Sequence, residues 1–189
     1  FTFYVPGYQF VPAFRNRVWD GKIRLFNLQS NTIYYGLLKY VESFCEERGY
    51  TFEYQSGVDT EDEFSVYHAK KFAESLKLQS AGRDIEVREH QLSAFIHAMQ
   101  SQRALLLSPT ASGKSLIIYL IARQLLDYQN LKGLIVVPTT SLVEQLQSDF
   151  ADYANNDTFD VQANVHKIYQ GHDKYTNKPI TISTWQSLY

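Results

Sequence analysis

The sequence predicts an α/β chain in two parts: a small α+β domain, then a larger domain built on a parallel sheet. Three observations predict it. The first third is rich in aromatic residues, with short strand-like runs broken by Pro and Gly. In the second half, apolar runs of strand length alternate with segments of helical period, the pattern of βαβ units. A small-residue loop ending in Gly113-Lys114-Ser115 lies between an apolar run and a helical pattern.

Residues 1–58 form the first predicted domain. Residues 1–5 read as a strand, and Pro6-Gly7 as a turn. Pro12 interrupts residues 8–14 and assigns them to an edge or a loop. Residues 19–22 form a turn into residues 23–26, which alternate like a half-buried strand. Residues 31–36 begin another turn or strand. Residues 36–48 have helical period, with Leu37, Leu38, Val41, Phe44 and Cys45 on one face and Gly49 past the end. Residues 50–54 read as a closing strand. Arg15, Arg17, Lys22, Arg24 and Lys39 face only Asp20 among the first forty residues. Interleaved with Phe14, Trp19 and Phe26, these cations suit a nucleic-acid backbone with stacked bases. They equally suit a solvated strand face over an aromatic core.

Residues 59–83 read as a helical connector. It has an acidic run at 59–63, a helix over 67–78 with Phe72 and Leu76 on one side, and Ser80-Ala81-Gly82 as its end. His68 has no metal-spaced partner nearby and reads as a surface residue. From residue 84 the pattern changes. Leu92, Phe95, Ile96 and Met99 mark a helix, residues 105–107 a strand, and residues 114–128 a second helix. Residues 134–137 form a buried strand closed by Pro138. A helix over 141–150 carries Leu142, Val143, Leu146 and Phe150. Residues 161–169 and 180–183 read as further strands. In such sheets ligands sit outside the carboxyl ends of the strands. That singles out residues 109–115, 138–140 and 184–186.

The loop has separable chemistry. A helix N-terminus has unpaired N–H groups and a positive partial charge, which attract phosphate. Small residues at Ala111, Ser112 and Gly113, after Pro109 and Thr110, let the backbone curl around an anion. Lys114 adds a cation for the outer phosphates, and Ser115 a hydroxyl for Mg²⁺. Ser108 stands where the pattern G-x-x-x-x-G-K-[ST] has its first glycine. The competing reading is a capped ordinary helix with a chance Gly-Lys.

Composition narrows the classes. With 44% hydrophobic and 20% charged residues over 189 positions, the chain can bury a real core. A net charge of −2 makes any nucleic-acid surface a local one. The single cysteine, Cys45, excludes an internal disulfide and a cysteine zinc site, and suits a reducing, cytoplasmic compartment. No apolar run approaches the ~18 residues of a membrane span. A chain that opens on Phe1 and stops at Tyr189, just after a new helical start, is expected to be a piece of a longer protein.

These segments, in this order, resemble the superfamily 2 helicases and translocases. Residues 107–115 are similar to their motif I. Arg88-Glu89-His90-Gln91 is similar to the Q motif, and residues 136–145 to motif Ia. Residues 181–188 are similar to the T-x-Q-x-L element that precedes motif II. Tyr8-Gln9-Phe10, Arg15, residues 19–25 and Gly36-Leu37 resemble the N-terminal domain of phage recombination helicases. The resemblance implies a first RecA-like ATP-binding domain over residues 84–189, truncated before the acidic motif II. It implies ATP and Mg²⁺ as cofactors and DNA, single-stranded or branched duplex, as partner, in a phage-infected or bacterial cell. Gln91 would then meet the adenine edge, and Arg88 would stack on the base or orient Gln91. Thr139, Thr140 and Thr184, with Gln145 and Gln186, would hold a sugar-phosphate chain, and Trp185 would stack on a base or sit in the core. The parent would be an ATP-dependent helicase acting on branched or recombination intermediates, and this piece alone would have negligible ATPase. A restriction-type translocase subunit, a non-catalytic DNA-binding fragment and a small-molecule kinase are the alternatives.

Overall fold

In a computed structural model the chain divides into two compact units, Phe1–Asp59 and Thr60–Tyr189. The structure describes residues 1–53, 64–101, 103–171 and 173–188. The acidic run at 59–63 and the end of the expected strand at 50–54 lie outside them.

In the first unit β1 (Thr2–Tyr4) is followed by a 3₁₀ turn at Tyr8–Phe10 and by α1 (Pro12–Arg15). Pro12 therefore opens a helix rather than confining the segment to a loop. At the first helical position its missing N–H is no loss and its fixed φ is already helical. β2 (Lys22–Arg24) pairs antiparallel with β1, Phe3 opposite Ile23. β3 (Phe26–Asn27) and β4 (Thr32–Ile33) form a second small ladder. α2 (Leu38–Arg48) ends on Gly49 at φ 67°. Residues 50–53 are not a strand; the Tyr50 N–H instead closes the helix end on Cys45 O. The unit turns on Gly21, at φ 78°, where a Cβ would lie 2.5 Å from the Tyr8 ring. Tyr8 stacks on Tyr4 at 4.8 Å and meets the Phe14 edge at 4.7 Å. Among the described residues of this unit, Gly21 alone is buried.

The second unit starts with α3 (Val66–Ser75), capped by Ser65, whose hydroxyl accepts from the His68 N–H. Ala69, Phe72, Ala73, Leu76 and Leu78 are buried in the core. The stretch expected as a connector is thus an integral layer of this unit, its apolar side covered. A hairpin of β5 (Gln79–Ser80) and β6 (Arg83–Asp84) leads to α4 (Glu89–Ser101). Residues 104–109 are not a strand. Leu105 is 83% and Leu107 89% exposed, and a strand is defined by a partner that these residues lack among those described.

α5 (Lys114–Gln129), β7 (Gly133–Val137) and α6 (Thr140–Tyr153) follow the expected period. The expected strand at 161–169 splits into α7 (Val161–Asn164) and β8 (Val165–Ile168). Asp160 is the reason: its carboxylate accepts from the Ala163 N–H and caps a helical turn. β9 (Ile180–Thr184) runs parallel between β7 and β8, with Val137 beside Thr184 and Ile168 beside Ser183. A 3₁₀ turn, Trp185–Leu188, closes the described chain. Phe95, Tyr119, Leu120, Val143, Phe150, Ile180 and Ile182 form the centre of the core. Arg123, 6% exposed, is the charge inside it. It donates to Tyr119 Oη at 2.7 Å and Asp127 Oδ2 at 3.1 Å, pairs with Asp157, and lies 4.1 Å from the Phe159 ring centre.

Candidate nucleotide and nucleic-acid site

The loop before α5 adopts the backbone that its small residues permit. Ala111 and Gly113 have φ of 63° and 80°, so the chain reverses twice before the helix starts. Lys114 folds its ammonium over the loop, donating to Pro109 O at 2.7 Å and Ser108 O at 3.3 Å. Ser108 Oγ meets Ser112 Oγ, so the residue in place of the first glycine pins the loop's base. Thr110, Ala111 and Lys114 are exposed, and Ser112 and Gly113 half-buried. The result is a curled backbone at a helix N-terminus with a cation at its mouth.

Gln91 braces this loop from α4. Its Nε2 donates to Ser112 O at 3.1 Å, and its Oε1 accepts from the Arg88 N–H at 3.0 Å. The amide is 5% exposed, and a Cβ at position 113 would lie 2.1 Å from Nε2. Gly113 is therefore required twice, by its φ and by the approach of Gln91. The adenine-reading role expected for Gln91 meets an amide already committed at both ends to protein. Arg88 is exposed at the start of α4. His90 also reaches the loop, with Nε2 3.0 Å from Ser112 O.

Ser115 Oγ lies 2.8 Å from Tyr153 Oη. Burial pushes the Tyr153 phenol above its usual range, opposed by the bond to Ser115. The phenol stays protonated and can donate to Ser115 at neutral pH. Among the described residues no three His, Cys, Asp or Glu side chains gather as a metal site. A Mg²⁺ ion would therefore draw on Ser115 Oγ, phosphate oxygens and water. The loop itself fits a phosphate chain by its φ values and its cation. His90 and Tyr153 were missed in the sequence because their contacts are made only by the packed helices.

The expected polynucleotide residues divide. Thr139 caps α6, its Oγ1 accepting from the Leu142 N–H at 3.3 Å, and sits just past β7. Thr140 and Gln145 are exposed on α6. Thr184 is 4% exposed and its Oγ1 is 2.9 Å from Ser187 Oγ, so its hydroxyl faces inward and holds the closing turn. Trp185 is 56% exposed and Gln186 exposed, which leaves the indole free as a platform rather than in the core. Because β7 and β9 are parallel and in register, Thr139 and Thr184–Gln186 leave the same, carboxyl end of the sheet.

In the first unit Arg15, Arg17 and Arg24 line one open cavity of about 810 Å³, together with Phe14 and Trp19. Asp20 pairs with Arg24, and this guanidinium holds the carboxyl below its usual range. Arg15 donates to Gln9 O at 3.3 Å, and Arg17 sits at φ 58°. Lys22 is turned elsewhere, with its ammonium 4.7 Å from the Tyr4 ring centre. Trp19 Nε1 donates to Lys22 O at 2.9 Å and fixes the turn.

Residues 70–189 match the family described as type III restriction enzyme, res subunit, and residues 1–55 match the family described as DNA helicase UvsW, N-terminal. The ATP-dependent DNA helicase uvsW of Enterobacteria phage T4 is 34% identical over 192 residues, covering 100% of this chain and 37% of that protein. A crystal structure of T4 UvsW superposes with a TM-score of 0.86 at 33% identity, over 98% of this chain and 37% of that one. A crystal structure of the UvsW helicase from bacteriophage T4 gives 0.85 at 34% identity, over 98% and 66%. The chain thus spans little more than a third of the curated relative's length.

Proposed function

Since this chain belongs to the family of the type III restriction enzyme res subunit, with a UvsW-type N-terminal stretch ahead of it, we propose that it forms the DNA-binding and ATP-binding front part of an ATP-dependent DNA helicase. The observation that carries this reading is the curled loop at the N-terminus of α5, with Lys114 at its mouth and Gln91 behind it. The triphosphate of ATP lies against residues 109–115. Lys114 leaves its loop carbonyls for phosphate oxygens, a stronger, charge-assisted partner. Ser115 Oγ would hold Mg²⁺, which would neutralise phosphate charge there. Gln91 shapes the loop, and Arg88 faces the base.

DNA engages two surfaces. Thr139, Thr140, Gln145, Trp185 and Gln186 hold one strand by its backbone and one stacked base, and Thr184 supports them from inside. Arg15, Arg17 and Arg24, with Phe14 and Trp19, hold phosphates of a second DNA segment. Two DNA surfaces on one chain suit a branched or recombination intermediate, in the cytoplasm of an infected cell. Such contacts position DNA without reading its sequence.

Binding of a fluorescent ATP analogue by this chain tests the core of the reading. Lys114→Ala should weaken it by about tenfold or more, since an ion-paired phosphate contact is lost. Equal binding by wild type and variant overturns it. A forked duplex should bind more tightly than a linear one of the same length, and equal affinity would reduce the proposal to general DNA binding. The match over residues 70–189 also supports a restriction-type translocase subunit. That reading predicts no preference for the fork.

A further inference from the structure

Ten residues beyond Lys114, and so about 15 Å further along the α5 axis, the core holds an anomaly. Gln124 is 7% exposed, and among the described residues its Oε1 is the buried side-chain polar atom without a hydrogen-bond partner. Burying an unmatched amide costs stability, and an apolar residue of similar size would avoid that cost. The same side chain lines a cavity of about 520 Å³, walled by residues of α3, α4 and α5 and by Phe64. That volume is in the range of small-molecule sites.

The lining has a definite chemistry. Phe72 and Tyr128 meet edge to face at 5.7 Å, and Phe64 and Met99 complete the apolar wall. Lys71 and His68 stand on the exposed face of α3, and among the described residues no carboxylate lines the space. Aromatic walls, one unmatched amide oxygen and, among the described residues, a cation with no acid beside it suit a flat ring that carries both an N–H edge and a negative charge. A primary amide offers a donor beside an acceptor, which an adenine edge matches with its own pair. Aromatic and thioether groups suit its faces.

We propose that this cavity is a second adenine-nucleotide site, separate from the loop before α5. Gln124 turns its buried amide oxygen into the cavity to meet the base edge, Phe64, Phe72, Met99 and Tyr128 enclose the ring, and Lys71 meets the phosphate. The ligand is either a free nucleotide or one base with its phosphate in a single strand.

The test uses the whole chain carrying Lys114→Ala, so that failure at the loop and failure here are distinguishable. Adenosine monophosphate is titrated while the Gln124 side-chain amide signal is followed by NMR. The expected result is saturable binding that shifts this signal. Adding Gln124→Leu should weaken binding about tenfold or more with no loss of thermal stability. Tyr128→Ala, on an exposed wall, should weaken it as well if Gln124→Leu folds poorly. Lys71→Ala should weaken binding of the nucleotide but not of adenosine. A single-stranded oligo(dA) that binds more tightly than the mononucleotide identifies the strand as the source, and equal affinity per base identifies the free nucleotide. Binding absent from the Lys114→Ala chain overturns the proposal. So does binding unchanged by Gln124→Leu, or a Gln124 amide matched by a bound water only.

Discussion

Tyr8 packs against two other rings and Tyr119 against three, in opposite surroundings. Tyr8 lies against Tyr4 and Phe14 on a unit where Phe10 is 69%, Tyr34 71% and Tyr40 67% exposed. Tyr119 meets Phe150 at 5.0 Å and Tyr153 at 5.6 Å and is 0% exposed. Burial raises its pKa to about 12. The first unit thus leaves aromatic surface beside guanidinium groups, where a flat or anionic partner can use it. The second uses Tyr119, Phe150 and Tyr153 to hold α5 against α6, while Tyr128 and Trp185 stay exposed. The second unit builds its core from rings, whereas the first buries none of its own among the described residues.

The comparison breaks most severely if Phe150→Ala is mild. Phe150 is 0% exposed, so its loss should cost the second unit about 3–5 kcal/mol in urea unfolding. A comparable deletion in the first unit, Phe10→Ala, should cost little. Arg123→Met comes next. It strands Asp157 beside the core, and removing one partner of a buried pair costs about 3 kcal/mol. The double variant Arg123→Met/Asp157→Leu should recover part of that, and no recovery would show that the pair is not the source.

Alkaline pH should act on the second unit through Tyr119. The folded phenol keeps its proton to about pH 12 and the unfolded one only to about 10. Its contribution is complete below pH 10 and is lost as pH rises through 12, about 2–3 kcal/mol in all. Tyr119→Phe should flatten that slope in denaturant titrations between pH 10 and 12; an unchanged slope would sink the assignment. Gly21→Ala should act on the first unit alone. A left-handed φ and a Cβ 2.5 Å from Tyr8 predict a loss of about 1–3 kcal/mol. NMR signals of Tyr8 and Phe14 should shift while those of Tyr119 and Phe150 stay. The smallest effect concerns DNA. Arg17→Ala should reduce the salt slope of binding by about one phosphate contact. Arg24→Ala should reduce it less, because Asp20 already holds that guanidinium.

What was legible in the sequence was whatever a local pattern encodes. α5, β7, α6 and β9 fall where hydrophobic period and the Gly113-Lys114-Ser115 signature place them. The run at 105–107 has the composition of a strand, but pairing depends on a neighbour, and Leu105 and Leu107 are exposed. The helical turn at Val161–Asn164 was hidden by apolar residues that suit a strand, with the cap at Asp160 the overlooked signal. Phe72 and Leu76 were visible as one face of a helix, but not the core that covers them. In the candidate site, Lys114 and Gly113 were readable from spacing. Contacts at long separation were not: Ser115 finds Tyr153 38 residues away, and Gln91 finds Ser112 21 residues away.

The order of strands in the parallel sheet bears on how the chain comes off the ribosome. β9 lies between β7 and β8, so the strand that joins the other two is the last of the three to be synthesised. Until Ile180–Thr184 emerge, Leu134 to Val137 and Val165 to Ile168 have no rung to share with one another. The ladder that joins these three strands therefore waits until Thr184 has been translated. During that interval the apolar edges are open to chaperones and to misassembly.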